Sequence, residues 1–181
     1  LQDANFKGYA EARAVDKAGN VSDSKLNDGY VIDKEAPTDI VITAEAGEEV
    51  YESDTWTSKD VTINLSSTAY SGIYRYYYSV NGSDWTEING DTITVKNQGE
   101  WNYKFKAVSY ADNETVTQND FKVKIDKIEP VVRVDFEGTF GRWSADGVQF
   151  SMSILNQAIS GVRYYYSTDG GNSWIQAEEG S

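Results

Sequence analysis

Two Arg-x-Tyr pairs are the residues of this 181-residue chain best placed for recognition chemistry: Arg75 with Tyr77, and Arg163 with Tyr165. Residues two apart on a strand share a face, so each pair sets a guanidinium beside a phenol. An exposed aromatic offers apolar area with a polar tip, which suits stacking on a sugar ring or docking a partner protein. Arg75, Tyr77, Arg163 and Tyr165 are therefore the candidate ligand-binding residues. Their recurrence in two copies suits a structural cross-strand pair equally well.

Catalytic chemistry has less to work with. The chain contains no His and no Cys, which removes the usual nucleophile, general-base and zinc constellations and leaves carboxylates, Lys and Tyr for acid–base work. A glycosidase needs two carboxylates across a deep cleft, and a small sandwich rarely builds one, so no enzyme activity is expected. Calcium is the one metal suggested. Asp16, Asp33 and Asp39 lie near one repeat boundary, and Asp126 and Asp135 near the next. Oxygen ligands gathered there would stiffen a joint, which makes Asp16, Asp33 and Asp126 the metal candidates. No EF-hand spacing accompanies them, and Asp is equally at home capping turns. No other cofactor is expected.

The formal net charge of −13 and pI near 4.3 repel phosphate backbones and anionic lipid surfaces, so nucleic acid is excluded as a partner. No apolar run approaches the 18 or so residues that a membrane helix needs, so no membrane insertion is expected. Any export signal or anchor is expected outside this stretch.

The elements that must carry these residues are strands. Val61 to Ser66 alternates apolar with polar, and Trp101, Tyr103, Phe105 and Ala107 fall on one face of another run. Phe121 to Ile125, Ile40 to Thr43 and Val148 to Met152 share this period of two. Alternation also puts Tyr74, Tyr76 and Tyr78 on the face opposite Arg75 and Tyr77. Short strands punctuated by Gly, Asn, Asp and Ser predict an all-β, Ig-like or fibronectin-III-like antiparallel sandwich.

The pattern also repeats. Arg13 to Asn20 and Ile32-Asp33-Lys34 return 93 positions later as Lys106 to Asn113 and Ile125-Asp126-Lys127. A second set recurs at 87 to 89: Trp56 with Trp143, Ser71-Gly72 with Ser160-Gly161, Arg75 to Ser79 with Arg163 to Ser167, and Trp85 with Trp174. Only residues 36–128 hold both sets. The expected organisation is one complete module at 36–128, flanked by the C-terminal half of a module at 1–35 and the N-terminal half of another at 129–181. Half-modules expose edges and half a core; either flanking chain completes them or the next molecule does. Pro37 and Pro130, the only prolines, are expected to punctuate short, stiff links. Asp16-Lys17-Ala18-Gly19 reads as a type I turn closing a hairpin. Its second copy, Ser109-Tyr110-Ala111-Asp112, has lost the glycine.

The turn Ala14-Val15-Asp16-Lys17-Ala18-Gly19-Asn20-Val21-Ser22, with the boundary Val31-Ile32-Asp33-Lys34-Glu35-Ala36-Pro37-Thr38, resembles the tandem bacterial Ig-like modules of large surface proteins. The resemblance is strongest at residues 12–37 and 101–130. It implies an extracellular stalk or adhesin segment at a bacterial cell wall, with adjacent Ig-like modules as neighbours and a host or bacterial surface glycan or protein as partner. Members of that family act as spacers, as binding tips, or as accessory carbohydrate-binding appendages of secreted glycosidases. Ser167-Thr168-Asp169-Gly170-Gly171-Asn172-Ser173-Trp174 fits the Asp-box of sialidase propellers. A propeller repeats every 40 to 50 residues, so this segment is expected to be a hairpin turn. The resemblance and the missing site chemistry thus point to a non-catalytic structural or spacer Ig-like repeat of a bacterial surface protein, with adhesion as a secondary role; the alternative is an accessory carbohydrate-binding module of a large secreted glycosidase.

Overall fold

The computed structural model describes residues 5–26, 29–137, 141, 143, 149–156 and 159–177. The described chain is all-β, with no helix among the described residues, as the alternation predicted. Val148, which heads one of the alternating stretches, lies outside the described residues.

The first strands, β1 (Phe6–Gly8), β2 (Glu11–Ala12), β3 (Lys25–Leu26) and β4 (Tyr30–Ile32), form two small antiparallel ladders, β1 with β4 and β2 with β3. The sandwich follows. Its strands are β5 (Val41–Ala46), β6 (Glu49–Val50), β7 (Trp56–Thr57), β8 (Val61–Ser66) and β9 (Ile73–Val80), then β10 (Thr86–Ile88), β11 (Thr92–Val95), β12 (Gly99–Ser109), β13 (Glu114–Val116) and β14 (Phe121–Ile125). One sheet has the order β11-β8-β5-β6; the other runs β10-β9-β12-β14-β7, with β13 also on β12. All pairings are antiparallel except β7 with β14. Tyr51 fastens that edge, its hydroxyl donating to the Thr55 carbonyl at 2.6 Å and accepting from the Lys124 amide at 2.9 Å.

Alternation does the packing. Val61, Ile63 and Leu65 of β8 face Tyr103, Phe105 and Ala107 of β12 and Val123 and Ile125 of β14 across the two layers, and all are buried. The outward residues between them carry the charge. Apolar burial at roughly 25 cal/mol per Å² drives this two-layer arrangement.

β9 departs from strict alternation. Val108 pairs with Arg75 and Ser109 with Ile73, so the ladder slips by one residue at Tyr74. This bulge sends Ile73 toward the core and turns Tyr74 outward, 49% exposed. Tyr74 therefore does not share the inner face with Tyr76 and Tyr78; the extra residue of a bulge reverses the side-chain phase beyond it.

The repeat is visible in the ladders. Phe6↔Ile32 and Gly8↔Tyr30 reproduce Gly99↔Ile125 and Trp101↔Val123, and the Val15↔Val21 bridge reproduces Val108↔Glu114. After the sandwich, β15 (Val132–Glu137) pairs with β16 (Gln149–Ile154), and β17 (Tyr165–Tyr166) with β18 (Ile175–Gln176). There, Val132↔Ile154, Val134↔Met152 and Phe136↔Phe150 echo Ile42↔Leu65, Ala44↔Ile63 and Ala46↔Val61. Apolar residues of these outer ladders, such as Leu26, Val132 and Phe136, are exposed.

The two copies of the turn solve one problem in different ways. In the first, the Asp16 carboxylate accepts from the Ala18 and Asn20 amides, both at 2.9 Å, and Gly19 takes φ +88°. In the second, Ser109 Oγ accepts from the Ala111 and Asn113 amides at 3.2 Å, and Asp112 takes the left-handed position at φ +59°. Asp is among the few non-glycine residues that tolerate it.

Phe105 is fully buried, in the stacked pair with Tyr103. Phe105→Ala should cost about 3–5 kcal/mol, measured by urea unfolding; a loss under about 1 kcal/mol would contradict its place at the centre of the core.

Candidate functional site: a repeated carboxylate clamp and an outer aromatic face

Asp33, just beyond β4, is 8% exposed. Its carboxylate accepts from the Ser71 amide at 2.9 Å and the Ser71 hydroxyl at 2.6 Å, and from the Glu35 amide at 3.2 Å. Its backbone carbonyl accepts from Asn113 Nδ2 at 3.0 Å. Ser71 stands in the turn before β9, Asn113 in the turn after β12. Asp33 thus ties the boundary segment to two turns at one end of the sandwich. Pro37 is buried in the same region, and its carbonyl accepts from the Thr115 hydroxyl.

The arrangement recurs. Asp126, just beyond β14, accepts from the Ser160 amide at 3.0 Å, the Ser160 hydroxyl at 2.7 Å and the Ile128 amide at 3.1 Å. Asp126 and Ile128 stand 93 positions after Asp33 and Glu35, while Ser160 stands 89 after Ser71. Each clamp joins the residue that closes one repeat to the serine turn of the next. Sequence reasoning found both halves of this device, the Ile-Asp-Lys and the Ser-Gly repeats, but not their contact. The two sets carry different offsets, and nothing in one dimension pairs them.

Ser71 holds the Asp33 carboxyl below its ordinary value, chiefly through the hydroxyl, and Ser160 does the same for Asp126. Asp16 is lowered by Asn20, whose Nδ2 donates to it at 2.8 Å. The three calcium candidates therefore sit apart, each filled by N–H or O–H donors of the chain itself. Among the described residues no three acidic side chains gather as a metal site.

The outer face of the β10-β9-β12-β13 sheet carries the first Arg-x-Tyr pair. Arg75 donates to Glu87 at 2.6 Å and to the Tyr77 hydroxyl at 3.4 Å, and its Cζ lies 3.9 Å from the centre of the Tyr74 ring. Tyr74 meets Tyr110 at 5.1 Å between ring centres. Lys106 lies 5.0 Å from the Tyr77 ring and 5.3 Å from Trp85, and pairs with Glu114 at 3.1 Å. Beneath them Val108 is buried outside the main core. Tyr74, Tyr110 and Trp85 remain exposed. Tyr74 and Tyr110 were missed as surface partners because a bulge and a turn, neither legible from alternation, place them there.

The second pair is arranged differently. Tyr165 is exposed, and its hydroxyl donates to Gln176 Oε1 at 3.4 Å. Gln176 stands opposite Tyr165 as Glu87 stands opposite Tyr77, so the carboxylate that neutralises Arg75 has no counterpart there. Arg163 and Tyr165 line a hollow of about 530 Å³ with Met152, Ile154 and Trp174.

The Asp-box segment is the hairpin between β17 and β18. Asp169 accepts from the Ser173 amide at 2.9 Å and the Ser173 hydroxyl at 2.6 Å, and Ser167 donates to it at 2.7 Å. The Ser173 bonds depress the Asp169 carboxyl to about 2. The equivalent turn in the sandwich uses Asn81 and Gly82, both at positive φ, the signature of a type I′ hairpin.

Compared with known protein families and with curated proteins, the chain matches none.

A lowered carboxyl value means the clamp bonds are at full strength above the ordinary Asp value near 3.8 and are lost as pH falls through the lowered values. In a ¹³C carboxyl titration Asp33 and Asp126 should therefore titrate below 3.8, and Ser71→Ala should return Asp33 alone toward it. An Asp33 titration that Ser71→Ala leaves unmoved would refute the clamp.

Proposed function

We propose that this chain is a non-catalytic spacer segment of a bacterial surface protein, built from tandem Ig-like modules that stand outside the cell and hold something away from the wall. The observation that supports this reading is the duplicated clamp. Asp33 with Ser71 and Asp126 with Ser160 use the same three donors at the same repeat position. Hydrogen bonds to an ionised carboxylate are roughly twice as strong as neutral ones. A side chain that closes one repeat and grips the next restricts bending at the joint, and the proline four residues further on restricts the link itself. A joint reproduced at each boundary is what a stalk requires. The net charge of −13 keeps such a rod soluble and discourages lateral association.

The full 181-residue chain provides the test. Residual dipolar couplings should report one shared alignment across residues 30–32 and the sandwich. Asp33→Ala should loosen that alignment while the sandwich stays folded, its free energy of unfolding in urea falling by about 1.5–3 kcal/mol, the contribution of a hydrogen bond to a charged group. Independent alignment of the two parts in the unmodified protein would reject the spacer reading.

A second reading, an accessory carbohydrate-binding module of a secreted glycosidase, draws on the outer face. Tyr74, Tyr110 and Trp85 supply exposed rings beside Arg75 and Tyr77. On that reading Arg75→Ala with Tyr77→Ala abolishes retention on immobilised glycans at an unchanged melting temperature. A large fall in melting temperature would mark the pair as structural instead.

A further inference from the structure

A cleft of about 540 Å³ opens between β9, β10 and β12 of one sheet and the end of β11 in the other. That volume lies within the range of small-ligand sites. Its walls are aromatic. Tyr78 and Tyr103 lie 6.0 Å apart at 45°, and Trp101 stands beside them with its indole N–H donating to the Asn97 carbonyl at 3.0 Å. Its rim is polar, with Thr86, Thr94 and the Asn97 amide.

Tyr103 is 7% exposed, yet neither its hydroxyl nor that of Tyr78 has a hydrogen-bond partner among the described residues. A sealed phenol without a partner would cost on the order of 1–3 kcal/mol, and among the described residues no buried side-chain polar atom lacks a partner. The Tyr103 hydroxyl therefore meets open space, and the cleft it lines is that space. The Thr86 hydroxyl and the Asn97 side chain are likewise without partners among the described residues. The site thus offers flat apolar rings and a set of uncommitted neutral donors and acceptors, and no carboxylate lines it.

We propose that this cleft binds a neutral sugar residue of a glycan. The C–H face of a pyranose packs on an aromatic ring, and its hydroxyls both donate and accept, which is what unpaired phenols, a Thr hydroxyl and an Asn amide can answer. Lys96 also borders the cleft, but a single cation does not offset the chain's net charge of −13, so a charged sugar gains little. Burial and the neighbouring Tyr78 push the Tyr103 phenol up to about 12, which keeps it a donor at every pH the fold would meet. This site is separate from the Arg75 face, and its existence does not depend on the spacer reading.

The test titrates the 181-residue chain with neutral mono-, di- and trisaccharides of glucose, galactose, mannose and N-acetylglucosamine, with glucuronate as the charged counterpart. The readout is the ¹H–¹⁵N signal of the Trp101 indole. A saturable shift with the neutral sugars is expected. Tyr103→Phe keeps the ring and should weaken binding about tenfold, equivalent to one hydrogen bond, at an unchanged melting temperature. Thr86→Val, at the exposed rim, should weaken it as well and guards against a folding artefact at Tyr103. Arg75→Ala should have no effect. An unmoved Trp101 signal with every neutral sugar, binding to glucuronate alone, or saturable binding indifferent to both variants would each overturn the assignment.

Discussion

The structure hangs on one strand. β12 is the longest strand among the described residues and pairs with β9, β13 and β14. Its inward residues, Tyr103, Phe105 and Ala107, form the middle of the core. Its outward residues Lys106 and Val108 carry the charged and aromatic outer face. Trp101 and Tyr103 wall the cleft, and the turn at its end sends Asn113 to the Asp33 carbonyl. Core, cleft, outer patch and joint are thus four uses of one run of residues. The burial of Phe105 fixes the register from which the other three follow, because a slip of one residue would exchange every inward side chain for an outward one.

The same constraint explains why the joint is built as it is. A boundary segment can be fixed only to something that the sandwich holds rigid. Ser71 and Asn113 sit in turns whose flanking strands, β9 and β12, share the most extensive ladder among the described residues. The Asp33 side chain grips one turn and its backbone the other. Duplication of this geometry at Asp126 keeps the residue types but changes the spacing from closing strand to serine turn, by four positions. Insertions and deletions in the intervening loops are absorbed without loss of the contact, as surface connections generally allow.

Period-two alternation made the all-β class, the inward sets on β8, β12 and β14, and both hairpin turns legible in the sequence. What it hid has physical causes. The bulge at Tyr74 is a tertiary choice: Ile73 packs in the core at the expense of a ladder step, and no local signal in Ile73-Tyr74-Arg75 announces it. The left-handed Asp112 looks like a lost glycine until Ser109 is seen to do the work of Asp16. The clamp joins residues 34 to 38 positions apart, and the cleft joins residues from four strands, β9 to β12, and the loops between them. Arg75 and Tyr77 were legible as a surface pair; that Glu87 had already neutralised the guanidinium was not.

That neutralisation bears on what the molecule can hold. The cations of the sandwich are largely committed: Arg75 to Glu87, Lys106 to Glu114, Lys124 to Asp54, Lys104 to Asp120. Surface pairs of this kind add little stability, about 0–1 kcal/mol each, but they leave few cations of the sandwich to receive an anion, against a net charge of −13. A surface so disposed gains nothing from long-range attraction to phosphate or acidic polymers. Recognition must then come from short-range contacts, rings and uncharged hydroxyls, which salt screens hardly at all. The Tyr78, Trp101 and Tyr103 cleft is built of those groups, and the sugar binding proposed there would have an affinity nearly independent of ionic strength.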